Sequence, residues 1–541
     1  MISDAKKQGG LFFIYVGIIT IVALFYRFYD LDKRGYFPGS DAPGYAGVVR
    51  TYRAGFDYII RAKILNQHLG SMNDYLYENG GQIGTAAKDG ILPIGLIGSI
   101  IFGNNANTIL FTSAMFGVFT VIFLFYILSR TLNIFYSFMV SLLFAVSPYH
   151  IGFSREGLTV IFASFFLLAG VYFYVRFLKV NRSDYISLCG LSLGLGFLCH
   201  YNISPFIFVF FTYEAYRLIL GRNGVKGILL LFIFAIIPLF LMDIFTRAIK
   251  FYGISQHIKL MDAYYPYFNA LFNQLMAVSR GGSDIFEGQF YYFRSLLYYE
   301  GIVPCVLLIA AAVFIIRRGV KTNSGVGYFL LLIFLFPFIY FLKLQHTITD
   351  RAMLSFIPLW YIIIGYGLID YKYRRMLMLF IAIAIVVSGF KSLDYFNYRS
   401  NFEQAVSYMK QNKGVRHITS VWSLSRLYAG RESAVNHAEP PYSAKLTKLR
   451  NIIYQKNPLV IDKIKSLYND GYEYLVLNIP PTVSNELTEA AMDISPEYST
   501  DNMICNDRGD GYDPALLRDK NGKYLYHFNV YDLGKVIDRM R

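Results

Sequence analysis

The feature that most constrains this chain is its run of long uncharged stretches, each about the length of a bilayer crossing. A membrane-spanning helix needs roughly 17–25 predominantly apolar residues. Stretches of this kind recur near 10–28, 107–130, 133–150, 157–178, 185–200, 202–220, 225–246, 298–316, 327–343, 352–370 and 375–391. Inside a bilayer every backbone polar group must find its partner within the segment, so these stretches are expected to be helices. Only 16% of the 541 residues are charged, against about 25% in soluble domains. That excludes the series of soluble domains that the length alone would allow. The run from Leu11 to Tyr26 continues into Arg27, Phe28 and Tyr29 with no small-residue cleavage pattern, so it reads as an uncleaved first span. The apolar stretch Ile91–Gly103 is too short to cross and is expected to lie at the interface or re-enter.

Charge gives the orientation. With the N-terminus in the cytoplasm, the inner connections and their flanks carry 15 Lys/Arg and four acids, a net +11 of the +15 formal charge. The remainder of the chain holds 36 Lys/Arg against 32 acids. Short inner loops rich in Lys and Arg are the positive-inside pattern. The basic balance is therefore a topology signal, and no nucleic-acid partner is expected. The expected location is an integral protein of the plasma (inner) membrane, with a cytoplasmic N-terminus and an extracytoplasmic C-terminal domain.

This orientation leaves three large outer regions, residues 29–106, 247–297 and 392–541. The first two belong to a transmembrane domain of residues 1–391. The third alternates helical and strand-like stretches: Phe402–Lys410 is amphipathic, His417–Trp422 strand-like, Leu459–Tyr468 helical, Tyr472–Leu477 strand-like, Asn485–Met492 helical and Tyr524–Val530 strand-like. A small soluble α/β domain is expected there. Cys189, Cys199, Cys305 and Cys505 offer neither a disulfide framework nor zinc spacing.

Polar residues gather at the outer ends of the spans. After the first span, Tyr36-Phe37-Pro38-Gly39-Ser40-Asp41-Ala42-Pro43-Gly44-Tyr45 holds one carboxylate among Gly and Pro, just before a helical stretch. Such a loop can aim Asp41 inward, and Asp is equally a helix N-cap. Lys88 precedes the short apolar segment, where its ammonium can meet a lipid phosphate or snorkel to ordinary headgroups. The turn Ser147–Gly157 contains Arg155 and Glu156, which either serve a phosphate site or close the turn as a local ion pair. Lys343–Arg351 concentrates His346, Asp350 and Arg351 at another outer turn, and His200 tops a third.

Taken in order, these residues resemble the membrane glycosyltransferases of the GT-C fold, in the branch of the protein O-mannosyltransferases and the lipid A aminoarabinose transferase. The resemblance rests on Asp41 with Tyr45, Lys88 with Pro93 and Phe102-Gly103, Ser147-Pro148 with Ser154-Arg155, and Arg351 with Pro358. It spans roughly residues 10–390. Two positions depart from the family pattern: Ala42 follows Asp41 where a second acid is usual, and a Lys-Pro-Pro stretch is replaced by Lys-Asp-Gly-Ile-Leu-Pro.

The resemblance implies an α-helical polytopic protein with about eleven transmembrane helices, interfacial helices and a C-terminal soluble α/β domain. It implies inverting transfer of a sugar from a polyprenyl-phosphate donor to a lipid, glycan or protein acceptor outside the membrane. A phosphate leaving group needs no general acid, so one base suffices; that base is Asp41. Lys88, Arg155 and Arg351 would bind the donor phosphate, and Tyr45, Glu156, His200 and His346 would line the substrate site. The fold is compatible with a divalent metal, although no His, Asp or Glu group has recognisable ligand spacing. Three other readings fit the same layout: a polymerase or ligase of surface polysaccharide, a flippase or transporter of lipid-linked sugars, and a GT-C-like subunit that has lost catalysis and serves assembly, with the tail as a docking domain.

Overall fold

The computed structural model describes residues 2–36, 42–70, 75, 90–221, 224–251, 285–322, 325–344, 350–368, 374–397, 400–412, 414, 416–419, 428, 461–479, 486–500, 503–505 and 524–540. The elements described through residue 392 are all helices. The helices are α1 (Ile2–Phe28), α2 (Ala42–Tyr58, continuing as a wider turn over Ile59–Ile64), α3 (Ile91–Phe102), α4 (Thr108–Ser129), α5 (Ile134–Ala145), α6 (Pro148–Ser154), α7 (Val160–Val180) and α8 (Ser183–Cys199). They continue with α9 (Ser204–Ile219), α10 (Val225–Phe251), α11 (Ile285–Glu300), α12 (Ile302–Thr322), α13 (Gly325–Leu344), α14 (Phe356–Gly367) and α15 (Arg374–Ser392).

A helix lies at each of the eleven expected spans. By length and composition five qualify as full crossings among the described residues: Gly10–Phe28, Thr108–Ser129, Val160–Val180, Val225–Met242 and Arg375–Phe396. A sixth is the pair α5–α6, bent by 56°. Ser183–Cys199, Gly325–Phe341 and Met353–Gly367 are apolar but shorter. The bend has a local cause. Pro148 lacks an amide hydrogen and pushes the preceding residue out of the helical region, and Ser147 is extended there (φ −58°, ψ 117°). Its hydroxyl then accepts from the His150 amide at 3.3 Å and starts α6 afresh.

Small residues set the closest helix approach. A Cβ at Gly190 would lie 2.5 Å from the Leu231 carbonyl oxygen, and one at Gly194 would lie 2.2 Å from that of Ala235. The backbones of α8 and α10 can meet only because both positions are glycine. The outward face stays apolar: Phe13 and Ile21 on α1, and Ile97, Ile100 and Ile101 on α3, are all exposed. This is the surface a chain presents to lipid.

The C-terminal part contains α16 (Phe402–Gln411), β1 (His417–Thr419), α17 (Ile461–Asn469), β2 (Tyr474–Ile479), α18 (Glu486–Met492), β3 (Tyr498–Ser499), β4 (Met503–Cys505), β5 (Tyr524–Asp532) and α19 (Leu533–Arg539). The sheet order is β1-β2-β5-β3, with β4 also paired to β5. The β1–β2 pair is parallel and β5 runs antiparallel to its partners. Alternation along the strands separates two faces. Tyr474, Val476, Phe528 and Val530 pack with Phe402, Ala405, Val406 and Met409 of α16 onto the main helical core. Leu475, Leu477 and Tyr531 pack with residues of α17, α18 and α19 in a second core. Each expected helix and strand of this region is present within a few residues.

Candidate active site at the helix ends

The helix α6 is the hub of the site. Every residue from Pro148 to Ser154 is buried, and the turn that follows supplies Arg155 and Glu156. These two do not form the local ion pair that the sequence allows. Glu156 Oε1 accepts from Arg34 Nη2 at 3.2 Å, across 122 residues of chain. Arg155 Nη1 donates to the carbonyls of Tyr26 (3.1 Å) and Tyr29 (2.9 Å), and its guanidinium stacks 5.3 Å from the centre of the Phe396 ring. Arg155 therefore caps the C-terminal end of α1, where unpaired carbonyls and the helix dipole favour a cation. Burial, reinforced by the nearby Arg34 charge, pushes its pKa down to about 9.

Beneath this lies a second polar layer. Arg27 Nη1 donates to the Ala23 and Ala145 carbonyls at 3.3 and 3.0 Å, and Arg27 Nη2 lies 2.7 Å from His150 Nδ1. A guanidinium only donates, so His150 Nδ1 is the acceptor. On the other side of α6, Glu300 at the end of α11 accepts from Ser147 Oγ and from the Tyr361 hydroxyl, both at 2.6 Å. Ser392 Oγ donates to the Val146 carbonyl at 2.9 Å and joins α15 to the bend. Helices α1, α11, α14 and α15 thus converge on one bent segment through hydrogen bonds.

The expected site residues fall around this hub. Tyr45 is buried on α2, which packs against α3 and α4. Arg351 is half-buried in the 3-10 turn Asp350–Ser355, and that turn packs on α6, α7, α11 and α14. His200 is buried (3% exposed); its Nδ1 accepts from the Asn202 amide at 3.1 Å, which starts the turn between α8 and α9. The Gly90 amide donates to the Leu198 carbonyl at 3.1 Å, and a Cβ on Gly90 would come 2.7 Å from the Cys199 amide. The flank of Lys88 is therefore fixed against the end of α8, beside His200. Asp41, Lys88 and His346 lie outside the described residues. Their described neighbours Tyr36, Ala42 and Gly90 are all buried. Among the described residues no group of three His, Cys, Asp or Glu side chains is placed to hold a metal ion.

The residues missed from sequence are Arg27, Arg34, Glu300 and Tyr361. Arg27 and Arg34 carried a readable signal, since on the orientation expected from sequence an Arg at that helix end runs against the positive-inside pattern. Glu300 and Tyr361 carried none, because each is an ordinary residue next to apolar helix and only their meeting is informative.

Residues 94–242 match the family model described as dolichyl-phosphate-mannose-protein mannosyltransferase. ArnT from Cupriavidus metallidurans bound to undecaprenyl phosphate is similar in structure, with a TM-score of 0.58 at 12% identity over 96% of this chain and 98% of that one. Its apo form gives 0.58 at 11% identity over 98% and 99%. The archaeal oligosaccharyltransferase AglB from Archaeoglobus fulgidus, in complex with an inhibitory peptide and a dolichol-phosphate, gives 0.53 at 13% identity, covering 87% of this chain and 69% of that one. Among curated proteins no sequence matches. The chain shares the GT-C fold of these structures, in agreement with the resemblance read from sequence.

Proposed function

We propose that the chain is an inverting glycosyltransferase that moves a sugar from a polyprenyl-phosphate donor to an acceptor at the extracytoplasmic face. The observation that carries this reading is the convergence of four helices on the bent segment Ser147–Glu156, in a GT-C fold whose residues 94–242 match a mannosyltransferase family model. Asp41 is the base that takes the acceptor hydroxyl proton as the oxygen attacks the anomeric carbon. The polyprenyl phosphate leaves as an anion, and Lys88 and Arg351 stabilise the charge that develops on it. Arg155 acts one step back: its guanidinium holds the end of α1, from which the Asp41 loop departs, and any charge it offers the donor is felt through that layer. Tyr45, Glu156, His200 and His346 shape the surroundings of donor and acceptor. A lipid-bound donor and an acceptor of lipid, glycan or protein class are the partners this chemistry requires.

The test is transfer from a panel of radiolabelled polyprenyl-phosphate sugars to membrane acceptors, with wild type beside Asp41→Asn. Asparagine keeps the shape of the side chain and cannot take the proton. Transfer by wild type and its collapse in Asp41→Asn are expected. Full activity in Asp41→Asn would remove the base assignment, and a folded wild type that consumes no donor would remove the reaction.

A further inference from the structure

The arginines at the opposite end of the bundle from α6 divide into two groups. α4 runs away from the hub to Arg130, α5 returns to it, and α7 runs away again to Val180, where α8 begins. Arg130, Arg176, Lys179 and Arg182 therefore share one end. Some arginines there are committed to the fold. Arg217 donates to the buried Glu214 carboxylate at 2.8 Å, and Arg318 donates to the Tyr366 carbonyl at 3.2 Å. Arg182 makes two bonds to Asp184, at 3.1 and 2.9 Å.

Arg130 and Arg176 are held differently, on aromatic rings. Arg130 Nη2 donates to the Tyr126 hydroxyl at 3.2 Å, and its guanidinium lies 4.8 Å from the centre of that ring. Arg176 Nη2 donates to the Tyr185 hydroxyl at 3.4 Å, with its guanidinium 5.4 Å from the ring centre. The rings of Tyr126 and Tyr172 meet edge-on at 5.8 Å and join α4 to α7. Arg176 stands one turn beyond Tyr172, and Lys179 follows it at the i+3 position of the same helix face. Among the described residues no carboxylate pairs with Arg130, Arg176 or Lys179. Arg130 and Lys179 are exposed and Arg176 is half-buried. A neutral ring orients a guanidinium and leaves its charge uncompensated.

These cations stand where an apolar surface ends. Phe119, two turns before Tyr126 on α4, and Leu188, one turn beyond Tyr185 on α8, are both exposed, as is Val180 beside Lys179. We infer that Arg130, Arg176 and Lys179 form a site, between the ends of α4, α7 and α8, for the headgroup phosphate of one anionic phospholipid, whose acyl chains lie along the face marked by Phe119 and Leu188. The guanidinium fork matches phosphate oxygens, and basic pockets between membrane helices hold such headgroups. A zwitterionic lipid brings its own cation and leaves the cluster's charge unmatched. A free phosphate gains nothing from the apolar face. No step of sugar transfer enters this inference.

The test is native mass spectrometry of the full chain in detergent, titrated with phosphatidylglycerol and, separately, with phosphatidylcholine. Wild type is compared with Arg130→Gln/Arg176→Gln. The control is Lys226→Gln/Arg375→Gln, which removes two exposed charges from the same end, outside the cluster. Each charge removed from the site is expected to weaken binding of the first phosphatidylglycerol about fivefold, and the pair about twenty-five-fold. The control should stay within about twofold of wild type on the same scale, and phosphatidylcholine should bind weakly and equally to all three. Equal weakening in the control would overturn the inference, since diffuse attraction to that end would then suffice. Equal wild-type affinity for the two lipids, or displacement of phosphatidylglycerol by inorganic phosphate, would overturn it as well. Thiol labelling of the buried Cys189 and Cys199 checks folding. If the site pair does not fold, the exposed Lys179→Gln decides by the same criterion: about fivefold weaker binding supports the site, and wild-type binding overturns it.

Discussion

Replacing Glu156 by alanine leaves a buried cation without its carboxylate. Arg34 is 1% exposed and Glu156 5%, so water screens the pair hardly at all. The cost is raised by the neighbourhood, because the Arg34 charge already opposes that of Arg155 within the same layer. Breaking a buried pair by removing one partner costs about 3–5 kcal/mol, roughly two to three and a half powers of ten in the folded-to-unfolded ratio. Replacing both partners by apolar residues of similar size is often neutral or stabilising, so Arg34→Met combined with Glu156→Leu is expected within about 1 kcal/mol of wild type. The assay is built into the chain: Cys189 and Cys199 are free and buried, and their modification by a thiol reagent along a thermal or denaturant series reports opening of the bundle. Glu156→Ala should label at much lower denaturation and the double variant close to wild type. A single variant as stable as wild type, or a double variant as unstable as the single, would refute the reasoning.

Ser147→Ala and Tyr361→Phe each remove one donor from the Glu300 carboxylate. Each should cost about 1.5–3 kcal/mol, as hydrogen bonds to charged groups do, with less than additive loss in the pair, measured by the same thiol series. Arg351→Ala, at a half-buried position, should leave stability near wild type. It should raise the donor KM about tenfold or more if its charge meets the phosphate, and steady-state kinetics with varied donor check it.

The helices at the expected spans were legible because a bilayer imposes length and apolarity on each one separately, and a local pattern records both, although only five of them, or six with the bent pair, have the length and apolarity of a full crossing among the described residues. The same holds for the sheet elements: the alternation in Tyr472–Leu477 and the helical spacing in Leu459–Tyr468 are local properties. The interruption at Ser147-Pro148 was visible as a turn, but the bend and the new helix after it depend on the serine cap and on what α6 meets. The pairing of Glu156 escaped because its partner, Arg34, stands 122 residues away while Arg155 stands next door; the chain closes the near option by turning Arg155 onto the carbonyls of Tyr26 and Tyr29. Glu300 became informative only where Ser147 and Tyr361 converge on it.

The central claim is a single displacement at the anomeric carbon by a hydroxyl that Asp41 deprotonates. The anomeric configuration of the product formed by the purified chain from one stereochemically pure polyprenyl-phosphate sugar, read by the NMR coupling at the anomeric proton, tests it most directly. Inversion relative to the donor is the predicted result. Retention would require two displacements or a covalent sugar intermediate and would contradict the account.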